Sequence, residues 1–253
     1  AGAPQKAMYL SGDAWFRNGA LKNVDIQFMN AGGVLFGVKD YVPALMEYVK
    51  KYDASLNFFH NLIAVDGPAK KAKFAVNAPD TDRTTVEVEF DMMHVCPPQT
   101  APDFIRVSPL ADAAGWVDVD QATLRHTRYD NIWSLGDVMN APNAKTAAAA
   151  RKQAPTVADN IVADIRGRSS AVAQYDGYGS CPLTVERGKI VLAEFGYGGA
   201  LKPSFPSYLI DGTKPSRAAW LLKEKLLPPI YWKAMLKGKE WMAKPEKIKA
   251  AAE

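Results

Sequence analysis

The chain has 253 residues, 48% hydrophobic and 23% charged, so it is long enough to bury a core and to form more than one minimal domain. The chain has two cysteines, too few for a disulfide framework. Its three histidines are scattered without the spacing of a zinc site, so we expect no metal. No apolar run is long enough to span a bilayer. The net charge of +4 is uneven, because residues 217–253 carry +5 and residues 1–216 carry −1. This asymmetry favours a membrane surface or a protein partner over nucleic acid, which needs a broader basic surface.

The first part of the chain alternates helical and extended patterns. Apolar residues at helical spacing predict helices over 4–18, closed by Gly19, and over 39–51. Short apolar or alternating runs predict strands over 24–29, 56–59, 63–65, 72–76, 86–90 and 92–96. The Asp-Gly-Pro turn at 66–68 predicts a hairpin, and Pro97-Pro98 stop the last strand. His94 and Cys96 lie at the end of this presumed buried strand, where core packing is favoured over metal binding.

Residues 131–137 combine a short apolar run with a Gly-Asp pair. Ile132, Trp133 and Leu135 predict a short buried strand, after which Gly136 permits a tight turn. Asp137 then stands at the carboxyl end of the strand, where open α/β sheets bind cofactors.

A helix is predicted over 144–166, with a kink or break at Pro155 and an end at Gly167. Lys145 and Thr146, followed by Ala147 to Ala150, place a cation and free N–H groups at its start. This arrangement favours negative charge on a ligand, and an ordinary helix start with small packing residues is equally compatible with it.

Cys181 follows a stretch of small and flexible residues, 175–180, and precedes Pro182. A rigid, closely approached loop suits nucleophilic or redox sulfur chemistry, because a thiolate must be reachable and electrostatically stabilised. A buried structural cysteine is the alternative. Beyond it, the turn at Arg187-Gly188 predicts a hairpin, and residues 198–215 are expected to be irregular.

The C-terminal segment interleaves aromatic residues with lysines in two short amphipathic helices split by Pro228-Pro229. Rings at a polar–apolar boundary with lysines on the wet side suit a helix that lies in a bilayer interface. Helices packed on the rest of the protein or on a partner subunit are the alternative. The aromatic and large apolar members are Trp220, Leu227, Tyr231, Trp232, Met235 and Trp241.

Several separated motifs together resemble sulfide:quinone oxidoreductase, specifically the branch that includes the mitochondrial enzymes. They are residues 1–6 (AGAPQK), 108–120 (SPLADAAGWVDVD), Gly136-Asp137 with Lys145-Thr146, 175–183 and 193–195. The resemblance implies an α/β fold, namely part of a two-dinucleotide-binding-domain (Rossmann-like) flavoprotein of the disulfide-reductase type with C-terminal amphipathic helices. It divides the chain into a second dinucleotide-binding-like domain (1–110), a returning part of the FAD domain (111–170) and a redox-cysteine, quinone and membrane region (171–253).

The cofactor implied by the resemblance is FAD, held in part by Gly136, Asp137, Lys145, Thr146 and Ala147. The sequence has no Gly-x-Gly-x-x-Gly turn to seat the FAD pyrophosphate, so we expect the chain to be the C-terminal part of a larger flavoenzyme, to need the missing N-terminal FAD segment, and to retain little FAD alone.

The resemblance also implies the chemistry. Cys181 matches one of two catalytic cysteines and carries a persulfide, the other cysteine directly preceding the segment that matches residues 1–4. Sulfide attacks a disulfide or trisulfide bridge, and two electrons pass through FAD to a membrane quinone. Aromatic residues are expected to line the quinone pocket, with core packing as the alternative; they are Phe195, Tyr197 and Phe205.

The implied partners are sulfide, a quinone and an anionic membrane surface, with a homo-oligomer possible. The implied location is the periphery of a bacterial or mitochondrial inner membrane. Two alternatives stay open from the sequence. One is the flavoprotein subunit of a flavocytochrome c sulfide dehydrogenase, and the other is a non-catalytic interaction domain.

Overall fold

The structure, a computed structural model, describes residues 2–168, 171–239 and 242–248. They form two compact units, each built from separate stretches of the chain. The first consists of residues up to 97 with 183–192 and 210–220, and the second of 98–182, 193–209 and the described residues from 221 onwards. The helices and strands of these units confirm a mixed α/β fold. The three-part division expected from the sequence remains a prediction.

The first unit opens with helix α1 (Gly2–Arg17) and a parallel strand–helix–strand motif. Strands β1 (Ile26–Asn30) and β2 (Ala54–Phe58) pair in parallel, and helix α2 (Val42–Lys51) connects them. Parallel neighbours need such a crossover. Tyr52, fully buried behind α2, donates from its hydroxyl to the carbonyl of Val185 (2.8 Å), which ties the hairpin turn region into this core.

A three-stranded antiparallel sheet follows, in the order β3 (His60–Asp66), β4 (Lys71–Val76) and β5 (Thr84–Glu89). The predicted hairpin at 66–68 and the third strand are confirmed. The strand predicted over 92–96 is wrong. Since β4 begins at Lys71, which pairs with Glu89, residues beyond β5 find no partner strand among the residues that the structure describes. Consequently Met92 is 74% exposed, and Cys96 is exposed rather than a core residue.

The second unit is centred on a long helix, α4 (Ala147–Ile165), which begins three residues later than predicted and is followed by Gly167 as the sequence predicts. The helix continues through Pro155 without a break. The unit's apolar core is formed by Val117, Val119, Leu124, Met139, Ala141, Val157 and Tyr175. Its other elements are short: helices α3 (Asp103–Arg106) and α6 (Leu227–Lys233), and the pair β6 (Ala173–Gln174) and β9 (Glu246–Lys247).

The short buried strand predicted from Ile132, Trp133 and Leu135 is wrong. Trp133 makes only a single bridge, with Arg125, and Leu135 is exposed. The segment is anchored instead by single backbone bonds, from His126 N to the Ile132 carbonyl (2.9 Å) and from Ser134 N to the Leu124 carbonyl (3.1 Å). Turns on both sides leave too few residues for a ladder.

Strands β7 (Gly179–Glu186) and β8 (Lys189–Phe195) form the predicted hairpin around Gly188. Helix α5 (Arg217–Leu221) passes directly into a π-helical turn (Leu222–Leu226) and then into α6. Pro228-Pro229 therefore open the second helix rather than separate two helices, as their missing N–H groups allow in a first turn. No helix in the described ranges is long and apolar enough to cross a membrane.

Candidate functional site

The turn at residues 136–138 is the centre of the site, and it lies in the second unit. Gly136 has φ +75°, a conformation that glycine adopts without strain, and the Asp137 side chain is exposed. The Lys145 ammonium donates to the carbonyls of Asp137 (2.7 Å) and Met139 (2.6 Å). It also stands 3.9 Å from the centre of the Trp116 ring. A positive charge is therefore fixed at this turn, and burial lowers the pKa of Lys145.

Helix α4 begins beside the turn. Thr146 is its N-cap and accepts from the Ala149 N–H through its hydroxyl (3.2 Å). The N–H groups of the first turn have no acceptor within the helix and carry the positive end of its dipole. One turn further, buried Gln153 accepts from the Gly136 N–H (2.7 Å). The predicted residues of the cofactor site, 136–137 and 145–147, are thus adjacent in space.

A carboxylate–amide network orders the segment 112–118 behind this site. Asn140 donates from its amide to Asp118 (2.8 Å) and Asp112 (3.2 Å), and it accepts from the Val119 N–H (3.0 Å). Hydrogen bonds from Thr127 and Asn140 lower the pKa of Asp118, which stays an acceptor. The motif over 108–120 therefore serves to fix the loop that carries Trp116.

Cys181 lies in β7, half-buried, and neither cysteine is in a disulfide. Two residues earlier, a Cβ on Gly179 would meet the Ala144 Cβ at 3.7 Å and the Phe195 ring at 3.6 Å. The cysteine strand therefore starts against the residue that precedes Lys145. Cys96, in the first unit, has no place in this site.

The loop before the cysteine strand is held by aromatic residues. The Tyr175 hydroxyl donates to the Tyr178 carbonyl (2.6 Å) and accepts from the Asn143 amide (2.6 Å), and burial raises the pKa of Tyr175 to about 12. Gly177, at φ +78°, lies under the Tyr197 ring, where an added Cβ would be 2.3 Å from ring carbon Cγ. This loop has little freedom to move.

The three aromatic residues predicted for a quinone pocket are all half-buried and have different surroundings. Phe195 touches Gly179. Tyr197 packs edge-on to Tyr175 (5.8 Å between ring centres) and donates to the Gln121 carbonyl (2.6 Å), so it serves core packing. Phe205 lies in the irregular segment that follows.

A cleft of about 300 Å³ lies in the same unit. Its lining includes Tyr178 and Ser204, together with Lys202 and Asp176, which form an ion pair (2.5 Å). Burial opposes ionisation of Asp176, but the hydrogen bond from Lys202 and that from the Tyr178 N–H outweigh it and lower its pKa. Glu194 lies behind this wall, hydrogen-bonded to Tyr178 and Ser204.

Sequence reasoning missed Gln153, Asn160 and Glu194, all buried polar residues. A signal existed for the first two, because they lie at helical spacing with Ala149, Thr156 and Val157 on the buried face of α4. A polar side chain in an apolar stripe indicates a specific buried partner. For Glu194 only its place in the run 193–195 was noted.

The C-terminal segment exposes several large apolar side chains. Trp232 is 65% exposed and Leu236 is 56% exposed, with Tyr231, Leu221 and Leu226 also open to solvent. Trp241, which belongs to the predicted amphipathic pattern, lies outside the described residues.

No protein-family model matches the chain. It is 41% identical over 239 residues to the mitochondrial sulfide:quinone oxidoreductase of Mus musculus, a match that covers 94% of this chain and 52% of that protein. It is also 41% identical over 244 residues to the mitochondrial sulfide:quinone oxidoreductase of Dictyostelium discoideum, covering 96% of this chain and 52% of that protein. The chain thus spans about half the length of the curated relatives it matches. These similarities confirm the resemblance that the motifs indicate and are consistent with a C-terminal portion of such a protein.

Among solved structures, the chain is similar to one chain of the cryo-EM structure of the Tetrahymena thermophila mitochondrial ATP synthase. The TM-score is 0.70 at 22% identity, over 93% of this chain and 55% of that chain. At this identity the likeness shows a shared fold alone.

Proposed function

We propose that this chain is the C-terminal part of a flavoprotein that oxidises sulfide to a persulfide or polysulfide and passes the electrons through FAD to a membrane quinone. The observation that carries the proposal is the similarity to sulfide:quinone oxidoreductases over 94–96% of the chain. The adjacency of the turn at Gly136, the start of α4 and the start of the cysteine strand supports it. The finer fold proposed is the two-dinucleotide-domain arrangement of disulfide-reductase-type flavoproteins, with the domain limits given above.

The residues around the turn fit the electron-rich side of a flavin. A half-buried lysine, the positive end of the dipole of α4 and a glycine at positive φ form a cationic, closely approachable surface. Lys145, Thr146 and Ala147 would face negative charge. Gly136 would let a polar chain approach the turn closely, and the exposed Asp137 carboxylate would bind that chain. When bound, FAD supplies two-electron acceptance. The chain alone holds FAD weakly, because it has no Gly-x-Gly-x-x-Gly turn.

In this proposal Cys181 carries the sulfur being oxidised. Its strand begins beside Ala144, so its thiol is presented from the same unit as the cationic turn. The thiolate is the form that attacks sulfur. The proposed border of the quinone consists of Phe195, Tyr197 and Phe205. Tyr197 contributes to it by packing against Tyr175.

The test uses the full-length flavoprotein. Cys181→Ser abolishes sulfide-dependent quinone reduction, whereas Cys96→Ser, the matched control in the other unit, retains most of it. Stopped-flow absorbance follows reduction of the bound flavin, and a second assay follows quinone reduction. Full activity in Cys181→Ser would contradict the assignment, as would a loss confined to Cys96→Ser.

The proposal includes peripheral attachment to an anionic membrane through residues 217–242. Exposed Trp232 and Leu236, within a segment of positive net charge, support it. Replacing both by Ser should release the full-length protein from anionic liposomes in sedimentation assays while sulfide still reduces FAD. Tyr208→Ser is the control, because Tyr208 is even more exposed (83%) but lies outside this segment. Unchanged sedimentation of the double variant would make this segment a packing element.

A further inference from the structure

Glu194 is a buried carboxylate to which the proposed chemistry assigns no role. It lies in β8 with 4% of its surface exposed. One carboxylate oxygen accepts from the Tyr178 hydroxyl (2.6 Å) and from the Ser204 hydroxyl (2.5 Å), and the other accepts from the Ser204 N–H (3.1 Å). Three donors from two different segments therefore converge on one side chain.

Tyr178 connects this carboxylate to the cysteine strand. Its main chain is already held, because its N–H donates to Asp176 (3.1 Å) and its carbonyl accepts from Tyr175 (2.6 Å). Its ring is held by Glu194. Burial, and then the hydrogen bond to Glu194, raise the pKa of Tyr178, so the phenol remains a donor. Tyr178 stands three residues before Cys181, and β7 begins at the next residue, Gly179.

Ser204 and Tyr178 both line the cleft, whereas Glu194 lies behind them. Their hydroxyl groups donate to the carboxylate, and the two hydroxyl oxygens lie 3.4 Å apart. Removing the Glu194 carboxylate would leave three donors without this acceptor: the hydroxyls of Tyr178 and Ser204 and the N–H of Ser204. The Tyr178 hydroxyl is half-buried, and an unpaired donor there is costly, so the wall would rearrange to find new partners.

We propose that Glu194 is a positioning residue for the Cys181 thiol. It fixes the Tyr178 ring and the 204 segment against each other, and thereby the point at which the chain enters the cysteine strand. This inference rests on the proposed redox role of Cys181. It assigns the glutamate of the run 193–195 to orientation rather than to contact with sulfide or quinone.

The test compares Glu194→Ala, Glu194→Gln and Tyr178→Phe in the full-length flavoprotein. Asp13→Asn is the matched control, since Asp13 is as buried and accepts from a hairpin N–H, that of Arg187, in the other unit. The first readout is the alkylation rate of reduced Cys181 by iodoacetamide as a function of pH. The second is kcat and KM, measured separately for sulfide and for the quinone.

For Glu194→Ala we expect a fall of about tenfold or more in kcat with sulfide, because small misplacements of reacting groups are costly. The pH profile of Cys181 alkylation should shift, and KM for quinone should stay within about twofold. Glu194→Gln keeps one acceptor oxygen and should recover part of the loss. Tyr178→Phe should resemble Glu194→Ala, and Asp13→Asn should leave the alkylation profile unchanged.

A wild-type alkylation profile in Glu194→Ala would overturn the inference, and so would an equal change in Asp13→Asn. If sulfide does not reduce flavin in the unaltered protein, the proposed function fails. The alkylation arm needs no turnover and decides the positioning role by itself.

Discussion

Asn160 offers a direct test of how α4 holds the loops around it. It is 1% exposed, and all its side-chain bonds go to the main chain. Its amide group donates to the carbonyls of Thr123 (3.1 Å) and Ala173 (2.9 Å). Its carbonyl oxygen accepts from the N–H groups of Val172 (2.8 Å) and Ala173 (2.9 Å). One side chain thereby satisfies four backbone groups, one at Thr123 and three at residues 172–173, where β6 begins.

Asn160→Ala removes all four bonds. Each bond contributes about 1 kcal/mol net, and water that enters the space replaces part of the lost hydrogen bonding. We therefore expect the free energy of unfolding to fall by about 3 kcal/mol. Asn160→Leu separates lost hydrogen bonds from lost volume, because it fills the space but leaves the same four groups unpaired. The two variants should therefore be destabilised to a similar extent.

The assay is urea unfolding followed by circular dichroism, with hydrogen exchange of a peptide that covers residues 171–175 as a local readout. Exchange of Val172 and Ala173 should accelerate most. Asp164→Ala, one turn later on the exposed side of α4, should change stability by less than about 0.5 kcal/mol. If Asn160→Ala is no less stable than this control, the reasoning from hydrogen bonds is refuted.

Three further predictions concern the same unit. Thr146→Ala removes the N-cap of α4 and should cost about 1 kcal/mol in thermal unfolding, and Thr146→Ser should restore it; equal stability of all three proteins would contradict the cap. Gly177→Ala adds a Cβ against the Tyr197 ring and should cost more than Gly188→Ala, which has similar positive φ but open space, so equal losses would show that only backbone strain matters. Burial raises the pKa of Tyr175 to about 12 in the folded protein, whereas its pKa in the unfolded chain is about 10. The stabilisation that the neutral phenol contributes is therefore complete below about pH 10 and is lost as the pH rises through 12. Unfolding measured against pH should show this loss diminished in Tyr175→Phe, and an identical pH dependence would contradict it.

The elements predicted correctly from the sequence are those determined within a short window. Helix α4 follows from its own periodicity, and the β7–β8 hairpin from the turn at Gly188 flanked by apolar residues. The strands predicted over 92–96 and 132–135 failed for a shared reason. A strand needs a partner of matching length, and the partner's limits, such as the start of β4 at Lys71, are set elsewhere in the chain.

The candidate site likewise has one part that local sequence predicts and another that it does not. Gly136 and Lys145 are nine residues apart, so the sequence alone indicates that a turn and a helix start lie close together. The bond from Gly136 to Gln153 and the convergence of Tyr178 and Ser204 on Glu194 link residues 10 to 17 positions apart across turns whose geometry no local pattern fixes. Such partners follow only from the tertiary arrangement.

The buried polar residues of α4 suggest why the site needs this arrangement. Gln153 and Asn160 are buried in α4, and Thr146 is its half-buried N-cap. The three follow each other at intervals of seven residues, or two helical turns, so consecutive members lie about 10 Å apart along one face. Gln153 holds the cationic turn at Gly136, and Asn160 holds residues 172–173, which lead towards the loop before Cys181. Apolar side chains at these positions would fill the core but would not fix either loop in register, since hydrophobic contacts are not directional. The helix therefore spaces the proposed flavin-binding turn and the approach to the cysteine strand along one rigid axis. Substitutions at Gln153 and Asn160 should therefore have different effects. A substitution at Gln153 should weaken flavin binding by the full-length protein, and one at Asn160 should loosen the segment that leads to Cys181.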